Sequence, residues 1–291
     1  MPSPWILAAR PKTLPASIAP VLSGTALAAR EGTFDPLVFA ATLLAAILLQ
    51  VGANYANDVF DFLKGADRNR QGPLRVTQSG LLSPRQMLWG TGVVFALAAL
   101  VGVGLVSRGG WVVLVIGVLS ILAALAYTAG PLPLAYRGLG ELAAFTFFGL
   151  VAASGTYYLQ AGTFTLASWL VGVPQAALAA AILVVNNLRD IDADRAAGKY
   201  TLAARFGERF ARWEYAMLVA LAFAALVPLR VLNASGWSVF LPLLLLIPAA
   251  QLVHAVMHTP RSAALNPLLA RTAQLNLAFA VLLAVGLLLP S

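Results

Sequence analysis

Long apolar blocks alternate with short polar stretches along this chain. Nine blocks approach the roughly 20 residues that an α-helix needs to cross a bilayer: residues 14–29, 36–60, 87–106, 111–129, 139–159, 167–188, 213–229, 237–257 and 270–289. The pattern predicts an all-α polytopic membrane protein of about nine transmembrane helices. Gly and other small residues inside the blocks suit close packing of those helices. No low-complexity linker divides them, so residues 1–291 read as a single integral-membrane domain.

Composition and charge agree. The 291 residues are 60% hydrophobic and 10% charged, with a mean hydropathy of +0.84; a soluble domain carries about 25% charged residues. The absence of Cys removes disulfides, thiolate metal sites and thiol nucleophiles. A net charge of +8 could suggest nucleic acid, but in a membrane protein basic residues set topology and meet anionic lipid, so no nucleic-acid partner is expected. With the N-terminus in the cytoplasm, all of the 19 Lys and Arg residues except Arg30, Arg108 and Arg230 fall in cytoplasmic stretches. That bias predicts an N-in orientation of the nine spans in the cell (inner) membrane. The first block, interrupted by Pro15 and Pro20, reads as a span and not as a cleaved signal.

Acidic residues are rarer and more concentrated. Six of the 11, Asp58, Asp61, Asp67, Asp190, Asp192 and Asp194, lie in two stretches, Asn54 to Asp67 and Asn186 to Lys199. One stretch follows the second block and the other the sixth, so both emerge on the cytoplasmic face. A carboxylate at mid-bilayer costs roughly 2.5–3.5 kcal/mol even on the gentlest scale, and two clusters near the membrane call for a shared counter-charge. Residues three, four and seven apart share a helix face. Asn54, Asn57, Asp58 and Asp61 therefore converge on one stripe with Lys64 at its edge, and Asn186, Asp190 and Asp194 converge on another. Asp67 and Asp192 fall off these stripes. Gly65 and Gly198 predict that each helix ends soon after its cluster.

Carboxylate and amide oxygens without softer ligands suit Mg²⁺, which keeps several waters and binds substrate phosphates. The interleaved cations Lys64, Arg68, Arg75, Arg189, Arg195 and Lys199, with the Asn54 amide, suit a polyanion such as diphosphate. Together they predict a metal–diphosphate clamp facing the cytoplasm, in which diphosphate becomes a good leaving group because its developing charge is neutralised. The plainer reading, juxtamembrane charges pairing across loops, fits two spaced clusters with Asn partners on one side less well. Elsewhere, His254 and His258 lack an evident third ligand and read as a packed or interfacial pair. Tyr127, Tyr136, Trp89 and Trp111 lie near block ends, where an aromatic belt is the default.

Five regions carry a resemblance as well: Ala9 to Val21, Asn57 to Asp67, Gly72 to Gly80, Tyr127 to Leu134 with Gly138 to Glu141, and Asn186 to Lys199. In residues and order they resemble the intramembrane aromatic prenyltransferases of the UbiA type. Arg10-Pro-Lys-Thr13 and the Asn-Asn-x-Arg-Asp form at 186–190 resemble the branch that acts on 1,4-dihydroxy-2-naphthoate. The resemblance implies nine helices around a central cavity, with Mg²⁺ at its mouth bridging Asn57, Asp61, Asp67, Asn186, Asp190 and Asp194 to a polyprenyl diphosphate. It implies prenyl transfer to the naphthoate with loss of CO₂, giving demethylmenaquinone for menaquinone synthesis, with Asp61, Asp190 and Asp194 catalytic. Tyr127 and Glu141 are candidates for contact with the acceptor or the allylic cation, since a Tyr ring face attracts cations. The commoner first motif has a third acid where this chain has Gly65; Asp67 substitutes for it, as in the naphthoate branch. Sister enzymes using 4-hydroxybenzoate, homogentisate or a tetrapyrrole would share the clamp. A transporter would place its acids near the midplane, and these gather at one end.

Overall fold

The computed structural model describes residues 3–66, 72–131, 133–232 and 236–289, and every regular element among them is helical. The short α1 (Pro4–Ala9) precedes α2 (Pro15–Arg30), α3 (Pro36–Leu63) and α4 (Pro84–Ala126). Then come α5 (Gly140–Ala161), α6 (Leu166–Arg189), the short α7 (Ile191–Ala196) and α8 (Leu202–Phe206), α9 (Glu208–Val231), α10 (Trp237–His258) and α11 (Ala263–Leu288).

Among the described residues seven helices, α3, α4, α5, α6, α9, α10 and α11, are long and apolar enough to cross a membrane. The nine blocks of the sequence pattern differ from this count in two places. Helix α2 has only 16 residues, short of the roughly 20 that span a bilayer. Blocks 87–106 and 111–129 join in the single 43-residue element α4. A straight helix of that length would reach about 65 Å, twice the hydrocarbon thickness. Gly110, at φ 64° and ψ −154°, lies outside helical space, so α4 is two helices meeting at a kink.

Local chemistry starts these helices. Pro stands in the first turn of α1, α2, α3 and α4, where its missing N–H removes no bond and its fixed φ suits helix entry. Asp35 caps α3 by accepting from the amides of Leu37 (2.9 Å) and Val38 (3.2 Å), and Ser83 and Gln86 form a capping box on α4.

Helix α6 is the centre of the bundle, packed on α5, α9 and α11. Its most apolar window is 78% buried, against 6% for α4, which leans on α3 and leaves most of its surface outward. Without a hydrophobic drive between helices in lipid, small residues must let backbones close. Gly149 of α5 shows this: a Cβ there would lie 2.2 Å from the Ala176 Cα of α6. At the end remote from the acidic clusters, Arg30 donates to the carbonyls of Leu287 (3.1 Å) and Leu289 (3.3 Å), joining the ends of α2 and α11.

Candidate active site

A cavity of about 480 Å³ runs between α3, α4, α5 and α6. Helix α3 gives it a stripe of Thr42, Ala46, Leu49, Ala53, Asn57 and Asp61, and α6 a stripe of Ala179, Ile182, Leu183, Asn186 and Asn187. Both follow helical spacing, and both change from apolar to polar toward the same end. That mouth also carries Arg10, Thr13, Arg75 and Lys199. Deeper in, a π-helical stretch of α5, Thr146–Val151, sets Phe147 and Phe148 on the wall. Such turns recur at functional sites because they re-aim side chains within a helix.

In the first cluster Asp61 is only 1% exposed. Its Oδ2 accepts from Arg75 Nη2 at 3.1 Å and its Oδ1 from the Tyr136 hydroxyl at 3.1 Å. Asn57 Oδ1 accepts from the Thr128 hydroxyl at 3.1 Å. Lys64 donates to the Thr128 carbonyl at 2.6 Å and lies 4.4 Å over the Tyr136 ring, with the Lys199 ammonium 5.7 Å from the same ring. The ring's negative face attracts both cations. Burial lowers the pKa of Lys64, and Asp61 opposes that shift.

Asp58 does not share the cavity stripe. Its oxygens accept the amides of Thr77 (2.9 Å) and Val76 (3.2 Å), with Arg10 Nη2 at 3.8 Å. Successive helical residues point about 100° apart; Asn57 takes the cavity side and Asp58 the side of loop 72–80. Asp58 thus anchors the loop that carries Arg75 to Asp61. Asn54 lines the cavity, but its Nδ2 holds the N-terminal segment through the Ala9 carbonyl (2.9 Å) and the Thr13 hydroxyl (3.2 Å).

The second cluster does not lie on one continuous helix. Helix α6 stops at Arg189, Asp190 sits at φ −98° and ψ 11°, and α7 starts at Ile191. Arg189 donates to both oxygens of Asp190 (2.8 and 2.5 Å), to Asn186 Oδ1 (2.7 Å) and to Asn266 Oδ1 (2.6 Å). It is therefore a buried internal partner and is not on the cavity wall. Lys199, on the wall, lies 3.7 Å from Asp194 Oδ1. Arg195 is exposed and donates to the Ala204 carbonyl at 2.7 Å, away from the cavity. Asp192 is exposed and pairs with Arg261 at 3.2 Å. Asp67 and Arg68 lie outside the described residues. The rings of His254 and His258 stand 4.2 Å apart on an exposed part of α10.

Tyr127 lines the cavity, its hydroxyl 3.1 Å from where a Cβ on Gly140 would be. Glu141 is not on the wall; its Oε1 accepts from Asn187 Nδ2 at 2.7 Å. Tyr136, read from the sequence as an aromatic-belt residue, bonds Asp61; Thr128 and Asn187, given no role of their own there, bond Asn57 and Glu141. Asn187 carried a usable signal, four residues after Leu183 on the same face.

Among the described residues, no three His, Cys, Asp or Glu side chains gather closely enough to hold a metal alone. Asn57, Asp61 and Asn186 on the cavity wall are hard oxygen donors, and Asp190 and Asp194, off the wall, stand beside them as partners of Arg189 and of the wall residue Lys199; the set fits Mg²⁺ by type. Arg75, Arg189 and Lys199 pair with the three carboxylates, and Arg10 and Lys64 add two further cations around the mouth.

A polar, charged mouth over an apolar chamber, among helices long and apolar enough to cross a membrane, defines a helical integral membrane protein with an internal site. The chain belongs to the UbiA prenyltransferase family, whose model matches residues 17–279. It is 39% identical to 1,4-dihydroxy-2-naphthoate octaprenyltransferase of Escherichia coli, over 98% of this chain and 95% of that protein. It is 41% identical to the protein of the same name from Mycobacterium tuberculosis, over 81% of this chain and 80% of that one. Its fold matches that of a UbiA homolog from Archaeoglobus fulgidus bound to GPP and Mg²⁺, with a TM-score of 0.64 at 13% identity, covering 97% of this chain and 99% of that one.

Proposed function

We infer that this protein transfers a polyprenyl group from polyprenyl diphosphate to 1,4-dihydroxy-2-naphthoate with loss of CO₂, forming demethylmenaquinone in its reduced form. The observation that carries this reading is the polarity gradient of the cavity, from Asp61, Arg75, Asn186 and Lys199 at the mouth to Leu, Val, Ala and Phe within. A prenyl diphosphate has the same gradient. The names of the two relatives supply the acceptor.

The apolar walls take the prenyl chain, and the mouth takes the diphosphate. Arg75 and Lys199, which here neutralise Asp61 and Asp194, are the cations placed to turn toward phosphate oxygens. Asn57, Asp61, Asn186, Asp190 and Asp194 would hold Mg²⁺, which when bound neutralises charge building on the leaving diphosphate. The allylic C–O bond breaks, with its electron pair departing on diphosphate. A carbon of the electron-rich ring donates a pair to the allylic carbon, and the carboxylate leaves as CO₂. The face of Tyr127 favours the transient cation, and the apolar walls keep water from capturing it. The bias of Lys and Arg supports a mouth and an N-terminus on the cytoplasmic side of the cell membrane.

The test is a product assay on purified protein in lipid with polyprenyl diphosphate and Mg²⁺, offering the naphthoate and 4-hydroxybenzoate in parallel. The expected result is prenylated, decarboxylated product from the naphthoate alone, lost with EDTA and restored by Mg²⁺. Product from the benzoate alone would move the acceptor; product from neither would overturn the reading.

A further inference from the structure

Asn187 and Glu141 form a buried pair at the inner edge of the mouth. Asn187 lies on the cavity face of α6, one turn from Leu183. Glu141, in the first turn of α5, is 5% exposed. Its Oε1 accepts from Asn187 Nδ2 at 2.7 Å, and its Oε2 has no hydrogen-bond partner among the described residues. A carboxylate oxygen accepts and does not donate, so it selects the NH₂ end of the amide. The Asn187 carbonyl is thereby turned away from Glu141. Asn186 beside it already accepts from Arg189. Of the two neighbouring amides on the wall, Asn187 is the one that a carboxylate orients, with its carbonyl outside the network of Arg189 and Asp190.

We propose that Asn187 Oδ1 binds a phenolic hydroxyl of the aromatic acceptor, and that Glu141 is the positioning residue that holds the amide in that orientation. The proposal rests on the function inferred above and assigns the side of the cavity that reads the ring. A neutral carbonyl among apolar walls accepts an O–H well and leaves an aryl ether unpaired. Glu141 works through Asn187, because it does not reach the wall itself.

The test uses the full chain in lipid, with KM measured separately for the aromatic acceptor and for polyprenyl diphosphate. Glu141→Gln is expected to raise the acceptor KM about tenfold, the size of one neutral hydrogen bond, and to leave the diphosphate KM within about twofold. Gln can donate as well as accept, which frees the amide to flip. Asn187→Ala is expected to give the same shift, and the double variant no more than Asn187→Ala alone. A methyl ether of the acceptor should bind worse than the parent to the wild type and equally to Asn187→Ala. Equal rises in both KM values, or a lower Tm with both KM values unchanged, would make the pair purely structural and overturn the proposal. Wild-type protein that converts no hydroxylated aromatic at all overturns the inferred function itself, and is seen before any variant is made.

Discussion

The two acidic clusters meet at one mouth but hold their carboxylates by different means. In the first, the partners come from far along the chain: Arg75 and Tyr136 meet Asp61, and the amides of Val76 and Thr77 meet Asp58. In the second, the partners among the described residues are near neighbours: Arg189 grips Asp190, and Lys199 faces Asp194. A contact between neighbours closes almost no loop, whereas a remote one must be held in place by the segments that carry it. The contacts of Asp190 with Arg189 and of Asp194 with Lys199 are therefore set by local chain geometry. The first cluster is assembled from α3, loop 72–80 and the turns around Thr128 and Tyr136, so damage at any of these reaches Asp61.

Substitutions can break that contrast or sharpen it. The largest effect is expected from Asp61→Asn and Asp190→Asn, each lowering kcat by roughly 10²–10³-fold in a bundle that still folds, with a lower Tm because each change leaves a buried arginine without its counter-charge. Near-normal rates in both would remove the clamp from the mechanism. Asp58→Ala comes next. It strands the buried amides of Val76 and Thr77, at about 1–3 kcal/mol for each unpaired group. The Tm should fall and activity drop about tenfold, the size seen when a supporting outer partner is lost, with the half-saturating Mg²⁺ concentration unchanged. A shift in that concentration matching Asp61→Asn would make Asp58 a ligand after all. The smallest effect belongs to Tyr136→Phe, which keeps the ring beside Lys64 and Lys199 and deletes the hydroxyl that reaches Asp61. A rate loss of about fivefold is expected for one hydrogen bond. A loss as deep as that of Asp61→Asn would mean that the hydroxyl, and not the ring, is the essential part.

Much of this arrangement is legible in the chain because bilayer thickness and helical period leave plain marks. Block length marks the long apolar helices, though it counts the first block as a span and α4 as two, and three- and four-residue spacing puts Asn57, Asp61 and Asn186 on the inner stripes. Spacing could not separate Asp58 from Asn57, since the segment that claims Asp58 lies 18 and 19 residues on. Nor does any Gly or Pro announce the break at Asp190, where the buried Arg189 ties Asn186, Asp190 and Asn266 together. Arg189 and Arg195 look alike as basic residues beside a cluster. Burial decides between them, and burial depends on Asn266 and Ala204, which arrive from elsewhere. Tyr136 resembles an aromatic-belt residue because a side chain in a turn has no period to betray its direction.

The kink at Gly110 has a further consequence for how such a chamber can change. Residues on both sides of it line the cavity, Gly102 and Val106 before and Leu114 and Ile121 after. Regular helical register does not pass through a residue at φ 64°, so each half keeps its own rotation about its own axis. An insertion or deletion in one half re-phases that half alone. The wall built by α4 is thus two panels hung on one hinge point, and the depth of the chamber can drift on one panel while the other keeps its fit.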